Sequence, residues 1–129
     1  ARDSQRKANL TKIQTALELY FADTRNYPAT ASDDWEEIDG TSAIETALEG
    51  GGYLDPVPLD PQYSGSTGNA DPCDNTTDYR YNYRSDGSTY EVTAIMEVPT
   101  SSDDNPCTAA NTGCSPINTG DVCFIGQNP

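Results

Sequence analysis

The residues best suited to chemistry in this chain of 129 are carboxylates and cysteines. Ser101-Ser102-Asp103-Asp104-Asn105 is an oxygen-rich run, and Asp121 follows in the same C-terminal stretch. Hard oxygen ligands suit calcium. Asp103, Asp104 and Asp121 are therefore the candidate metal ligands, and calcium is the one cofactor these residues suit. The spacing is not that of an EF-hand, and adjacent acids also serve simply to solvate a loop. Asp71, Asp74 and Asp78 form a second, weaker acidic group. A carboxylate pair could in principle hydrolyse a glycosidic bond, but it needs a cleft holding both groups at a set distance. Nothing in so lean a chain suggests one. Histidine is absent altogether, which removes His-based nucleophilic machinery, His-ligated zinc and CxxCH haem attachment. No catalytic residue is assigned, and an enzyme is not expected.

The cysteines are Cys73, Cys107, Cys114 and Cys123, none in a CxxC pair. An even number in a short, loop-rich chain points to two disulfides and an oxidising compartment. Three connectivities are open. The short CTAANTGC loop, with Asn111 and Gly113 for the reversal, favours Cys107–Cys114 and leaves Cys73–Cys123. On chain-entropy grounds the two loops contribute about 2.5 and about 4 kcal/mol. Export to such a compartment needs a signal, and ARDSQRK is not one. The natural N-terminus is therefore expected upstream of Ala1.

Aromatic residues offer a third kind of chemistry. Tyr79, Tyr81 and Tyr83 alternate with Arg80, Asn82 and Arg84. They suit a glycan-binding face or an aromatic path for electrons, but core packing and cross-strand pairing account for strand aromatics more simply. Trp35 reads likewise as a loop anchor. Asn75-Thr76-Thr77 matches the glycosylation triplet, a short motif of low specificity.

The elements that must position these groups follow from periodicity. Leu10, Ile13, Leu17, Tyr20 and Phe21 fall on one stripe of a helix over residues 1–26, stopped by Asn26-Tyr27-Pro28. Its first turns hold no large apolar residue, so they are expected to project from the body. Residues 27–77 read as a connecting loop containing one short helix. Ser42-Ala43-Ile44-Glu45 is a capping box opening that helix, and Gly50-Gly51-Gly52 ends it. Ser32 to Glu37 read as a short turn, and three prolines from Pro56 to Pro61 forbid regular structure there. Residues 78–129 read as antiparallel sheet plus a C-terminal disulfide loop. Asp78–Arg84 and Tyr90–Val98 form a hairpin about Asp86-Gly87, and Val122–Ile125 adds a third strand. Tyr90, Val92, Ala94, Met96 and Val98 share the face turned to the helix. One domain of α+β class is expected, a long N-terminal helix packed on a small antiparallel sheet.

Composition narrows the function. Hydrophobic residues are 34%, against roughly 45–50% in typical domains with glycine included. The core must be thin. No apolar run approaches the length that spans a bilayer. A net charge of -14 argues against nucleic acid as a partner. Residues 1–12 nevertheless carry +3, from Arg2, Arg6, Lys7 and Lys12 against Asp3, so the rest carries -17. A basic stem on an acidic head suits contacts between subunits or a membrane-proximal anchor, as well as plain solvation.

ARDSQRKANLTKIQTALELYFADTRNYP, GGYLDPVPLDPQY and YRYNYRSDGSTYEVTAIMEV, in that order, resemble the type IV pilin and pseudopilin superfamily. The likeness covers residues 1–98. It implies a bacterial precursor with a short basic leader and an apolar half-helix ahead of Ala1. That half-helix, N-terminally methylated after cleavage, anchors the subunit in the inner membrane before stacking into a filament core. Partners implied are other copies of the chain and the assembly machinery, with membrane contact only through the upstream segment. The location implied is a surface filament reached through inner membrane and periplasm. The major pseudopilins of type II secretion share the connecting segment and carry a calcium site in a C-terminal loop. They follow Asp-Pro with Trp-Gly, whereas this chain has Asp60-Pro61-Gln62-Tyr63, and they generally lack paired C-terminal cysteines. Both departures favour a pilus subunit over a pseudopilin. A secreted calcium- or glycan-binding module is the alternative of another class.

Overall fold

A computed structural model describes residues 2–65 and 79–97, together with the backbone of Cys123–Gln127. Helix α1 runs Arg2–Thr24. It ends without glycine or a basic last turn. Arg25 takes the left-handed conformation (φ +68°), and its N–H closes on the carbonyl of Phe21. The Thr24 hydroxyl donates to the carbonyl of Tyr20, tightening the same turn.

The chain then returns beside the sheet instead of looping freely. The N–H of Tyr27 donates to Gly87, that of Thr30 to Ser85, and that of Ile38 to Tyr81. A single 3₁₀ turn at Ala31–Asp33 interrupts this run. It leads into a two-residue strand, β1 (Glu36–Glu37). This strand lies where the sequence suggested only a turn, because two adjacent acids carry no period-two signal. Helix α2 (Ala43–Gly50) opens on the Ser42–Glu45 capping box. Glu45 Oε1 accepts from the backbone N–H groups of Asp39, Gly40 and Ser42 and from the Ser42 hydroxyl. One carboxylate oxygen thus folds the whole approach to the helix around itself.

Strands β2 (Tyr81–Ser85), β3 (Tyr90–Ile95) and β4 (Cys123–Gln127) complete an antiparallel sheet of order β1-β2-β3-β4. The β2–β3 hairpin turns at Gly87 (φ +96°), while Asp86 Oδ1 accepts the N–H groups of Ser88 and Thr89. Tyr81 sits opposite Ala94, Tyr83 opposite Val92 and Ser85 opposite Tyr90. The fold is therefore α+β, a long helix on a small antiparallel sheet.

Between them lies the core. Leu10, Ile13, Ala16 and Leu17 of α1 are buried with Tyr81, Tyr83, Tyr90, Val92, Ala94 and Met96 of the sheet region. Ile38, Ile44, Leu48 and Val57 extend the core under α2. Tyr20 and Phe21 are half-buried at its margin. Each fully buried Leu or Ile side chain contributes about 1.5–3 kcal/mol, so this short stripe dominates the docking of α1.

Candidate functional site

The densest polar cluster lies where α1 begins. Arg6 is a charged residue on the buried side of the helix, with no solvent exposure. A buried charge survives only when paired and hydrogen-bonded, and Arg6 is surrounded accordingly. Its Nε donates to Asp60 Oδ2 at 2.8 Å and its Nη2 to Asp60 Oδ1 at 3.2 Å. Nη2 also reaches Gln62 Oε1 at 2.6 Å, and Nη1 reaches Asp3 at 2.8 Å and Glu97 at 3.1 Å. The Tyr79 ring lies against the guanidinium, 4.5 Å from Cζ to centroid. Arg2 adds a fork onto Glu97, its Nη2 at 2.7 Å and its Nε at 2.9 Å. Asp3 Oδ1 also accepts the Glu97 backbone N–H.

Two guanidiniums thus meet three carboxylates contributed by α1, by the Asp60–Gln62 segment and by the exit of β3. Burial alone lowers the pKa of Arg6, but its bonds to Asp60, Asp3 and Glu97 outweigh that and hold it above the usual arginine value. The hydrogen bond from Arg2 holds Glu97 below the usual carboxylate range. The same contact raises Arg2.

This arrangement corrects the expectation that the first turns project from the body. They pack on it, through charge instead of apolar contact. It also changes the meaning of the basic stem, since Arg2 and Arg6 are matched within the chain. A signal was available: Arg6 and Asn9 continue the Leu10–Ile13–Leu17 stripe backwards in phase, and Asn9 donates to the Tyr81 hydroxyl at 2.8 Å. A search for apolar periodicity passes over both.

A second polar region lies at the β1 end of the sheet. The Arg84 guanidinium covers Trp35 at 4.9 Å and donates to Glu91 at 2.6 and 2.8 Å. Arg80 pairs with Glu37 at 3.3 Å, both buried. An open groove beside them is lined by Trp35, Glu36, Glu37, Asp39 and the start of α2.

Of the tyrosines singled out, Tyr81 and Tyr83 are buried and Tyr79 is half-buried. Burial pushes the Tyr81 and Tyr90 phenols up to about 12 and raises Tyr83 as well. Tyr83 donates to the carbonyl of Pro28 at 2.7 Å. Tyr27 bridges Phe21 and Tyr90, with ring centroids 4.7 and 4.8 Å away. Tyr81 and Tyr83 are closed to solvent beneath α1 and its return segment, while Tyr79 lies half-buried over Arg6.

Asp103, Asp104 and Asp121 lie outside the described residues, as do Asp71, Asp74, Asn75 and Asp78. So do Cys73, Cys107 and Cys114, while Cys123 is described in its backbone alone as the first residue of β4. Among the described residues, no group of three His, Cys, Asp or Glu side chains is positioned to hold a metal ion. No described helix is long and apolar enough to cross a membrane. Compared with protein-family models, curated proteins and solved structures, the chain matches none.

Proposed function

We propose that this chain is a structural, non-enzymatic subunit of a type IV pilus, assembling into surface filaments through its N-terminal helix. On this reading the fold is pilin-like. Cys107 and Cys114 bound an exposed C-terminal loop, and the partners are further copies of the chain and the assembly machinery. The observation that carries the reading is the attachment of α1 to its body. Apolar side chains bind it from Leu10 to Phe21, and an ion lattice binds it at Arg2, Asp3 and Arg6. A helix held in both ways suits a subunit that must transmit load between its body and a segment stacked with neighbours. The segments that resemble pilins are the ones that build this attachment: the helix, the Asp60-Pro61 connection and the Tyr-rich hairpin.

The test begins with the residues encoded ahead of Ala1. The reading expects a short basic leader and then an apolar helix somewhat longer than the roughly 20 residues that span a bilayer, with an acid near its start. An ordinary cleavable signal peptide or a polar segment there defeats filament assembly and favours a secreted binding module. Electron microscopy of cells with and without the gene then separates the two filament types. Surface fibres lost with the gene support a pilus. Loss of protein secretion with fibres unaffected assigns the chain to a pseudopilin.

A further inference from the structure

We propose that the Arg6 lattice is a releasable latch: the turns of α1 ahead of Leu10 are held to the body by charge, and neutralising the latch carboxylates frees them while the Leu10–Phe21 stripe stays docked. The latch acts within one chain and does not depend on filament assembly.

The inference follows from how attachment changes along the helix. From Leu10 onward the buried side chains of α1 are apolar, and apolar contact does not respond to protons. The carboxylates there that meet the body, Glu18 and Asp23, are exposed, accept only from the neutral Tyr27 and Tyr53 hydroxyls, and balance no buried charge. Before Leu10 the groups that reach the body are Arg2, Asp3, Arg6 and Asn9, all polar. Local opening of such a segment costs less than global unfolding, so the two can separate.

Among the described residues, the groups that meet Arg6 all belong to the device. Asp3 comes from its own helix, and Asp60 and Gln62 from the connecting segment. Glu97 comes from the exit of β3 and the Tyr79 ring from the entry to β2, while Arg2 is the second cation, held by Glu97. Protonating the carboxylates leaves Arg6 charged and buried without its counter-charges, with the neutral Gln62 amide still accepting from it. The least costly escape is for the first two turns to swing into water, taking Arg6 with them. Leu10 then marks the hinge, and the latch sets the direction in which α1 enters the body.

Residue-resolved amide exchange on the full 129-residue chain at neutral pH tests this. Glu97→Gln removes a partly exposed carboxylate, and the variant is expected to fold. Residues 6–9 should be less protected than 13–21 in the native chain, and in Glu97→Gln their protection should fall by about ten- to a hundredfold, the size of lost charge-assisted hydrogen bonds, while staying below that of 13–21. Asp60→Asn should do the same more strongly. Where that variant fails to fold, acid titration of the native chain replaces it. There, amide signals of residues 6–9 should change at higher pH than those of 13–21. Unchanged protection at 6–9 in Glu97→Gln overturns the proposal. So does equal protection at 6–9 and 13–21 in the native chain, or a single common acid transition.

Discussion

Arg6 and Asp60 share two hydrogen bonds, at 2.8 and 3.2 Å, in a place where neither side chain has any exposure to water. They stand 54 residues apart in the chain. Their pairing joins the start of α1 to the proline-rich segment below α2.

Breaking a buried pair from one side strands the other charge, at a cost of about 3–5 kcal/mol. Arg6→Met and Asp60→Leu are each expected to lower stability by that amount in denaturant titrations. The double substitution should recover most of the loss. A double variant as weak as the sum of the singles would contradict a direct coupling between the two.

Glu97 is held below the usual carboxylate range, first by its hydrogen bond from Arg2. A carboxylate depressed on folding contributes stability above its unfolded pKa. That contribution disappears as pH falls through the lower folded value. Glu97→Gln should therefore flatten the acid side of the stability curve, with the two proteins converging at low pH. Parallel curves across the acid range would show that Glu97 is not linked to folding.

At the alkaline end the sign is reversed. Tyr81 and Tyr90, raised by burial to about 12, favour the protonated form in the folded state. Their contribution is complete below the ordinary phenol pKa and is lost as pH rises through about 12. Phenolate absorbance should therefore rise in two phases, the later one coinciding with unfolding seen by circular dichroism. A single phase near the ordinary phenol value would place these rings in water.

Two leucines on α1 separate burial from composition. Leu17 has no exposure and Leu19 is 53% exposed. Leu17→Ala should cost about 2–5 kcal/mol, and Leu19→Ala no more than about 0.5 kcal/mol. Thermal unfolding of the two variants makes the comparison, and equal losses would refute the orientation of the helix.

Much of the architecture was legible locally. The 3.6-residue recurrence of Leu10, Ile13 and Leu17, the Ser42–Glu45 box and the Asp86-Gly87 turn each express a preference of a few neighbouring residues. Such preferences need no knowledge of the rest of the chain. Strand β1 was not legible, because Glu36 and Glu37 become a strand only when Tyr83 and Asn82 offer them a partner. The return of residues 27–38 beside β2 was hidden for the same reason.

The Arg6 lattice was the least legible feature. Arg6 alone reads as a solvated charge, and so do Asp60 and Glu97, 54 and 91 residues away. Charge carries no periodic signature, and a favourable pair in water gains little. Only when the helix lies on the sheet do these groups meet out of water, where leaving any of them unpaired becomes costly. The sequence by itself determined the helix, its apolar stripe, the hairpin and the lean acidic composition, because these depend on local backbone preference and residue type. The tertiary structure alone decided that the first turns of α1 are bound and that two of the stem's cations are spent within the chain. The reason is that burial, which turns a weak surface charge into a strong tether, exists only after folding.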